Sequence, residues 1–423
     1  MAALPPLQVF RDIAVVPVQS VAQHVARGGP IWPEFDTQVM PRHCRDRLPV
    51  DICPAPAGAG TVLHTPALWG GFLNPQFGHL IVEQLTRLPQ SLAERPGDLI
   101  LFTLPPRGSA QPPPVQTLPA PTPPAPTPPA PAPPVQTPPA PTQAAPTPPA
   151  PTLPDWIWQM LDWHGLRRDR VRLVDAPLRV AELRVAAQGE MMGTDATCGA
   201  YLDLLDRNTA RQALTPAPSE MVFVTRAGLV ANGQGGHAGE ACLAAALRRS
   251  GAQVVDPATL PVRRQLEIYA GARVLVFSEG SAIHGRLLLG RATQDIHILR
   301  RRPRRDLAAQ QLSPRCTRLR YHAAVGHRLG ARMPGGANRL DLTAAIYDLQ
   351  VVFDLFASLG HDLRPHWDLA AYHAAVVDDL RGWLAACKTD AEQVLANLAL
   401  VRAAGFDLDR PFSLSPRAAP ARP

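Results

Sequence analysis

His79 and Glu83 stand four residues apart in the segment GFLNPQFGHLIVEQLTRL, residues 71–88. On a helix that spacing puts both side chains on one face, where the carboxylate can hydrogen-bond the imidazole and orient it. A helical histidine often does no more than pack. The turn just before it, with Asn74, Pro75 and Gly78, is what keeps a role facing a cleft open beside the structural one. A second group of residues has a different chemistry. In FSEGSAIHG, residues 277–285, Glu279, Gly280 and Ser281 fall where a strand should turn into a helix. A glycine there allows close backbone approach, and the N–H groups that open the helix form an anion site. Many sheets carry Gly and Ser at such a turn merely to start a helix. Arg226 is the added feature: it directly follows the first strand of the same unit, on the same sheet edge. A guanidinium beside a helix N-terminus suits a diphosphate, whose two charges need both.

The elements that must position these residues follow a regular pattern. The run MVFVT (221–225) suits a buried parallel strand, and residues 238–249 read as an amphipathic helix with Cys242, Leu243, Ala246 and Leu247 on one face. Strand 252–255, helix 262–269, strand 273–277, helix 281–289 and strand 295–299 complete the series. Strand and helix alternating at this spacing predict a parallel, doubly wound α/β sheet of the Rossmann kind, whose ligands bind at the carboxyl ends of the strands. Upstream, GDLILFTL (97–104) reads as a buried strand, 156–166 as helix and 171–174 as strand.

Between those two parts lies a tract in which 23 of the chain's 49 prolines fall, residues 105–154, with Arg107 the one charged residue. Lacking backbone donors, it is expected to be a disordered, solvated polyproline II insertion within a domain, with a partner-ligand role as the alternative to a plain surface excursion. Removing it leaves enough chain for two domains. The expected division is 1–215 for an N-terminal α/β domain, 216–330 for a C-terminal Rossmann-like domain, 331–410 for a helical region and 411–423 for a disordered tail. In the helical region, Thr389 and Glu392 form a capping-box pattern ahead of residues 391–403, and Gly405 ends that helix.

Composition excludes several classes. No apolar run reaches the roughly 18 residues of a membrane span, and the first residues lack a basic stretch ahead of an apolar block. Six scattered cysteines without CxxC or CxxH spacing argue against a zinc module or a disulfide framework, so the cytoplasm is the expected compartment. The net charge of +7 comes almost wholly from dispersed arginines. The dense run of Arg300, Arg301, Arg302, Arg304 and Arg305 has no interleaved aromatic, which argues against nucleic acid as a partner and reads as a solvated turn or a peripheral membrane contact.

Two segments together resemble glycosyltransferase family 61, which includes bacterial capsular-polysaccharide transferases and eukaryotic xylosyl- and N-acetylglucosaminyltransferases. Residues 71–88 look like the family's N-terminal signature of a turn, a His, a helix, a Glu and a Leu-x-Arg-Leu ending. Residues 222–289 resemble its C-terminal one: VFVTR for the strand and arginine, the helix with Glu240 for an acidic helix, and RRQLEIYAGARVLVFSEGSAIHG for a Gln-bearing helix, a strand and a Gly turn. Glu279 departs from the pattern, standing where the family commonly has a histidine, while His284 lies five residues later.

The resemblance implies a GT-B-like architecture, two Rossmann-like domains facing across a cleft, and inverting transfer from a nucleotide-sugar donor to a glycan or glycolipid acceptor of a surface or capsular polysaccharide. Inversion needs a base for the acceptor hydroxyl and a positive field for the leaving diphosphate. His79 with Glu83 is the expected base, Glu279 an alternative base or a group for sugar hydroxyls. Arg226, Gly280 and Ser281 would hold the diphosphate and Gln265 would contact the nucleotide or only cap its helix. Asn74 and His284 fall on the acceptor side. No cofactor beyond the co-substrate is expected; no metal residues are assigned, and dependence on a divalent ion stays open. A non-catalytic relative that binds glycan or nucleotide and acts through its proline-rich segment is the alternative, and another enzyme using a nucleotide-linked donor is a third.

Overall fold

The computed structural model describes residues 3–408, apart from 23–24, 57, 59, 105–152, 192–196, 304–305, 334–335, 388 and 407. The expectations for the proline-rich insertion, the tail 411–423, Arg304 and Arg305 therefore lie outside the described residues. What is described is a mixed α/β chain built on two large sheets.

The second of these sheets fixes the site. Its five strands run in the order Gln253–Val255, Ser219–Val224, Ala272–Ser278, Asp295–Leu299, Arg318–His322, and every neighbouring pair is parallel. Taken in sequence this is the order 2-1-3-4-5. The sheet therefore has a switch point between its first and third strands, where the chain leaves toward opposite edges and where sheets of this topology bind their ligands. The central strands are largely apolar because both faces are covered, while the edge strand Arg318–His322 is mixed in polarity and half-exposed. Val222, Val224, Leu275 and Phe277 point to one side, against helix Val262–Gly271 and the turn Ser281–Leu288. Met221, Phe223, Val274 and Val276 point to the other, against helices Glu240–Arg249, Leu349–Ser358 and Leu369–Ala386.

The N-terminal sheet has seven strands. Leu178–Val185, Ala67–Phe72, Leu99–Thr103 and Val171–Val174 lie side by side and parallel, and the long strand Gln8–Ala22 joins antiparallel to the first of them. Its apolar cluster does not stop at residue 215. Leu68, Leu80, Ile100, Phe102 and Ile157 belong to the same buried cluster as Val224, Leu266 and Phe277. Trp163 of helix Asp155–Trp163 donates from Nε1 to the Leu288 carbonyl at 3.0 Å, which locks the two parts together.

Four local expectations change. Residues 281–288 form a 3₁₀ helix, not an α-helix, and Ala282 through Leu288 are all buried. The region 331–410 is not purely helical, since Ala344–Tyr347 is a strand that pairs parallel with Gly236–Ala238 and antiparallel with Val325–Leu329. Its partners are over a hundred residues away on one side, so no local pattern reveals it. The last helix, Ala391–Ala403, is capped by Asp390, whose carboxylate accepts from the Gln393 N–H at 2.8 Å, while the Thr389 hydroxyl instead donates to the Arg332 carbonyl at 2.8 Å. Finally, Arg301 and Arg302 do not lie in a solvated turn. Arg301 is 2% exposed, and Arg302 is paired with buried Glu279, because the residues just after strand Asp295–Leu299 fall on the carboxyl edge of the sheet beside the third strand's turn.

Phe223 is fully buried and meets the Phe356 ring edge-on, with centroids 5.9 Å apart. Replacing it by alanine should lower unfolding stability by about 3–5 kcal/mol, the range for truncating a buried aromatic. Chemical denaturation of Phe223→Ala measures this directly.

Candidate functional site

His79 and Glu83 lie on a helical segment that is not uniform. It opens as a short α-turn, Phe77–His79, widens to a π-turn at Leu80–Gln84, tightens to 3₁₀ at Leu85–Arg87, and continues as the α-helix Leu88–Glu94. Such interruptions recur at functional sites. Nδ1 of His79 sits 3.0 Å from Oε1 of Glu83, so the spacing does bring the two together. Glu83 is 1% exposed and has further partners that the sequence did not reveal. Arg45 donates from Nε and Nη2 to its two oxygens at 2.9 and 2.8 Å, and Nε2 of His43 lies 3.3 Å from Oε2. Burial alone would raise the Glu83 pKa. The hydrogen bonds from His43, His79 and Arg45 overcome it and hold the carboxyl far below its ordinary range, so Glu83 is a fixed anion and not a proton acceptor.

His43 and Arg45 belong to a loop and a tight hairpin, Cys44–Arg45 against Leu48–Pro49, and this loop is held from behind. The buried guanidinium of Arg87 donates to the carbonyls of Met40, Pro41, Arg42 and Ala186, and desolvation pushes its pKa down to about 10. Gln188 accepts from the Cys44 N–H at 2.7 Å and donates to the carbonyl of Glu83 at 2.9 Å. Arg87 and Gln188 are thus the positioning groups for the whole cluster. Asn74 donates its backbone N–H to Oε1 of Gln84 at 2.7 Å, fixing the turn that leads into the helix. A cavity of about 30 Å³ lined by His43, Glu83, Gln84 and Arg87 lies behind the carboxylate, room for water and not for a substrate.

The second group assembles at the switch point. The Arg226 guanidinium lies over Gly280. A Cβ added at Gly280 would fall 2.2 Å from Cζ of Arg226, so only glycine leaves the arginine its place. Nη1 of Arg226 reaches Oγ of Ser281 at 3.5 Å, Nη2 donates to the Gly235 carbonyl at 3.1 Å, and Nε is buried without a partner among the described residues. Arg301 and Arg302 come from the end of the neighbouring strand. Burial first, then the charges of Arg226 and Arg302, bring the Arg301 pKa down to about 9, a sign of how tightly the three cations crowd.

Glu279 is spent within this cluster. Its Oε2 accepts the backbone N–H groups of Arg301 and Arg302 at 2.5 and 2.9 Å, and its Oε1 accepts from Nε of Arg302 at 2.6 Å. Burial works to raise its pKa, and Arg302 with these backbone donors more than reverses it. The geometry is that of a carboxylate that aims Arg302, not of a base. Gln265 is likewise engaged in its own surroundings, donating to the carbonyls of Pro257 and Leu260 at 2.8 and 2.9 Å, as a cap would.

The two groups adjoin. A Cβ at Gly78 would lie 2.8 Å from Cδ2 of His284 and 3.5 Å from Cβ of Ser281, so His79 follows a residue that packs directly on the Gly280–Ser281 turn. His284 sits at that seam, 4% exposed, with Nδ1 lacking a partner among the described residues. Burial, and next the charges of His79 and Arg302, push its pKa down to about 3 against the pull of Glu83, so it is a neutral imidazole that feels both groups. A larger groove of about 410 Å³, lined by Cys242, Arg249, Trp367 and Asp368, contains none of these residues.

Sequence reasoning missed His43, Arg45, Arg301 and Arg302. The two later arginines had a usable signal, since they immediately follow a parallel strand and so must sit on its carboxyl edge. The hairpin residues had none.

A doubly wound parallel sheet with cations gathered at its switch point, joined to an oriented imidazole, defines the class. A family model for Glycosyltransferase 61 matches residues 77–294, more than half of the chain, and the protein belongs to that family. No curated protein matches the chain. The matched stretch encloses His79, Glu83, Arg226, Glu279, Gly280, Ser281 and His284, and excludes His43, Arg45, Arg301 and Arg302.

Two outcomes are expected from this geometry. Glu83→Gln should cost about 3–5 kcal/mol at neutral pH, by leaving the Arg45 cation without its partner. A carboxyl with a depressed folded-state pKa contributes its full stability above its unfolded value of about 4.3 and loses it progressively as pH falls toward the folded value, so the gap between wild type and variant should narrow in acid. Urea midpoints followed from about pH 6 to about pH 3 test the sign. Gly280→Ala should displace Arg226 and weaken binding of inorganic pyrophosphate about tenfold to a hundredfold, the worth of one charged hydrogen bond, as read by titration calorimetry.

Proposed function

We propose that the protein transfers a sugar from a nucleotide-sugar donor to a glycan or glycolipid acceptor with inversion at the sugar carbon. Membership of the family supports a glycosyltransferase with such a donor and acceptor. The observation that carries the finer reading is the seam between the two groups, where the helix of His79 packs on the turn that Arg226 covers. In this reading the two sheets are the two halves of a GT-B-like enzyme. The diphosphate lies at the switch point against Arg226, Arg302 and the amides of Gly280 and Ser281. The acceptor lies on the side of Asn74, His79 and His43.

The chemistry then follows from the residues. With Nδ1 of His79 donating to Glu83, the lone pair of the imidazole is on Nε2. That nitrogen takes the proton of the acceptor hydroxyl as the oxygen attacks the anomeric carbon. The bond from that carbon to the diphosphate oxygen breaks on the opposite face, and its electrons pass to the leaving diphosphate. The guanidiniums stabilise the charge that develops there, in a site already organised to receive it. Glu83 stays ionised throughout and stabilises the imidazolium. A surface or capsular polysaccharide is the proposed product class, made on the cytoplasmic side. Among the described residues no helix is long and apolar enough to cross a membrane. With Arg301 and Arg302 turned into the fold, those two do not supply the membrane contact that the arginine run promised.

The test is a thermal-shift screen against UDP-, GDP-, CMP- and dTDP-sugars, with and without Mn²⁺. A ligand at a hundredfold excess over its Kd stabilises the folded state by about 2.7 kcal/mol, which is readily seen. One nucleotide should shift wild type and leave Arg226→Ala unmoved. His79→Gln should keep that shift and lose about 10²–10⁴-fold in transfer rate, the span of a general base. A cooperatively melting wild type that responds to none of the four would reject the donor reading and favour a non-catalytic relative.

A further inference from the structure

Behind the anion site runs a chain of polar groups that the function above does not use. Glu240 opens the helix Glu240–Arg249 and is 1% exposed. Its Oε1 accepts from Oγ1 of Thr225 at 2.8 Å and from the backbone N–H of Arg226 at 2.5 Å. Its Oε2 lies 2.7 Å from Oγ of Ser278. That hydroxyl lies 3.1 Å from Nδ1 of His237, and Nε2 of His237 lies 3.2 Å from the carbonyl oxygen of Arg300. The chain thus ties together the ends of three neighbouring strands, with the backbone of Arg226 at one end and the arginine run at the other.

The protons in this chain can be counted. A carbonyl only accepts, so Nε2 of His237 carries a hydrogen. Between Oε2 of Glu240 and Nδ1 of His237 stands one hydroxyl, with one hydrogen to give. Were both end atoms unprotonated, Ser278 would donate to one and set its lone pairs against those of the other at hydrogen-bond distance. One further proton removes the conflict. Placed on Glu240, it makes a carboxylic acid that donates to Ser278, which donates to His237. Placed on Nδ1, it makes an imidazolium that donates to Ser278, which donates to a carboxylate. Either arrangement has no net charge.

The surroundings select the first. Burial drives the pKa of His237 down to about 3 and that of Glu240 up. The cations of Arg226 and Arg301 oppose another positive charge on His237, while Glu279 and the Arg300 carbonyl pull the other way and do not prevail. Tyr347 stacks on the imidazole, with centroids 4.3 Å apart, and its phenol, kept neutral first by burial and then by the charge of Glu240, faces both Glu240 and Ser278. For Glu240, the N–H of Arg226, the hydroxyls of Ser278 and Thr225 and the charge of Arg226 favour ionisation, and burial outweighs them. Asp256 and Asp341 supply negative charge to Arg226 and Arg301 respectively.

We propose that Glu240, Ser278 and His237 hold one proton in common, resident on Glu240, and that this uncharged unit positions Arg226 while withholding a second buried carboxylate from the cation cluster. The inference rests on reading the switch point as a diphosphate site. Glu279 already offsets one of the three guanidiniums. An ionised Glu240 would offset another and weaken the field that the anion needs.

Glutamine at 240 tests this, because its amide donates to Ser278 and its carbonyl accepts from Thr225 and Arg226, so it copies the acid and not the carboxylate. Glu240→Gln is expected to bind inorganic pyrophosphate within about twofold of wild type, since no charge changes. The infrared difference spectrum of wild type minus variant at neutral pH should show the C=O band of a protonated carboxylic acid. The ¹⁵N spectrum of wild type should show His237 as the neutral Nε2–H tautomer. A change in pyrophosphate affinity of about tenfold or more, carboxylate bands alone, or an imidazolium pattern for His237 would each overturn the proposal. If the variant fails to fold, the wild-type nitrogen spectrum decides. A wild type that binds no pyrophosphate refutes the diphosphate reading and leaves the proton count to stand on the two spectra.

Discussion

Glu83 is a carboxylate taken out of water, and the N-terminal half of the site is arranged around making that tolerable. Removing an ion of this size from water costs several kcal/mol, which only close and well-aligned donors offset. They come from two distant stretches, His79 from the same helical turn and His43 with Arg45 from a hairpin some forty residues earlier. The hairpin must therefore be carried to the helix and held there. Arg87 and Gln188 do this by satisfying its backbone carbonyls and one N–H from the helix and from the loop after strand Leu178–Val185. The orientation of His79 is a consequence of that whole arrangement.

The C-terminal half solves the opposite problem, a surplus of positive charge. Three guanidiniums converge where strand order reverses, and a protein without a ligand there must keep them apart. It does so by giving each a fixed anchor: Arg226 the Gly235 carbonyl, Arg301 the carbonyl of Thr343 at 2.6 Å, and Arg302 the carboxylate of Glu279. Glu279 is in this sense a supporting group for the cluster. Burial raises the pKa of the other buried carboxylate at this edge, Glu240.

The legible parts of the chain share a physical property. Residues MVFV, RVLVF and DIHIL read as strands because both faces of a parallel sheet are buried, so nearly every position past the first residue is apolar and the signal is local. The helices between them show their periodicity for the same reason. His79 and Glu83 were legible as a pair because four residues is a helical contact distance, and Arg226 with Gly280 because both follow strands of one unit. The 3₁₀ form of residues 281–288 was not, since an apolar pattern marks a helix without reporting the pitch of its hydrogen bonds. The strand Ala344–Tyr347 was not, since its hydrogen-bond partner lies at Gly236–Ala238. Gln265 has the position of a nucleotide contact in the sequence, yet its amide is drawn to two carbonyls of the preceding turn.

The sequence by itself determined which elements form, that the later ones make a doubly wound sheet, and that Arg226, Gly280 and Ser281 must share its ligand-binding edge, because these follow from hydrophobic periodicity and chain connectivity. Only the tertiary structure decided which charges meet. That Glu83 holds His43 and Arg45, that Glu279 holds Arg302, and that the helix of His79 rests on the Gly280–Ser281 turn depend on contacts of a few ångströms between residues far apart in the chain. Coulombic and hydrogen-bonding energies fall away beyond that range, and distance in the sequence does not report it.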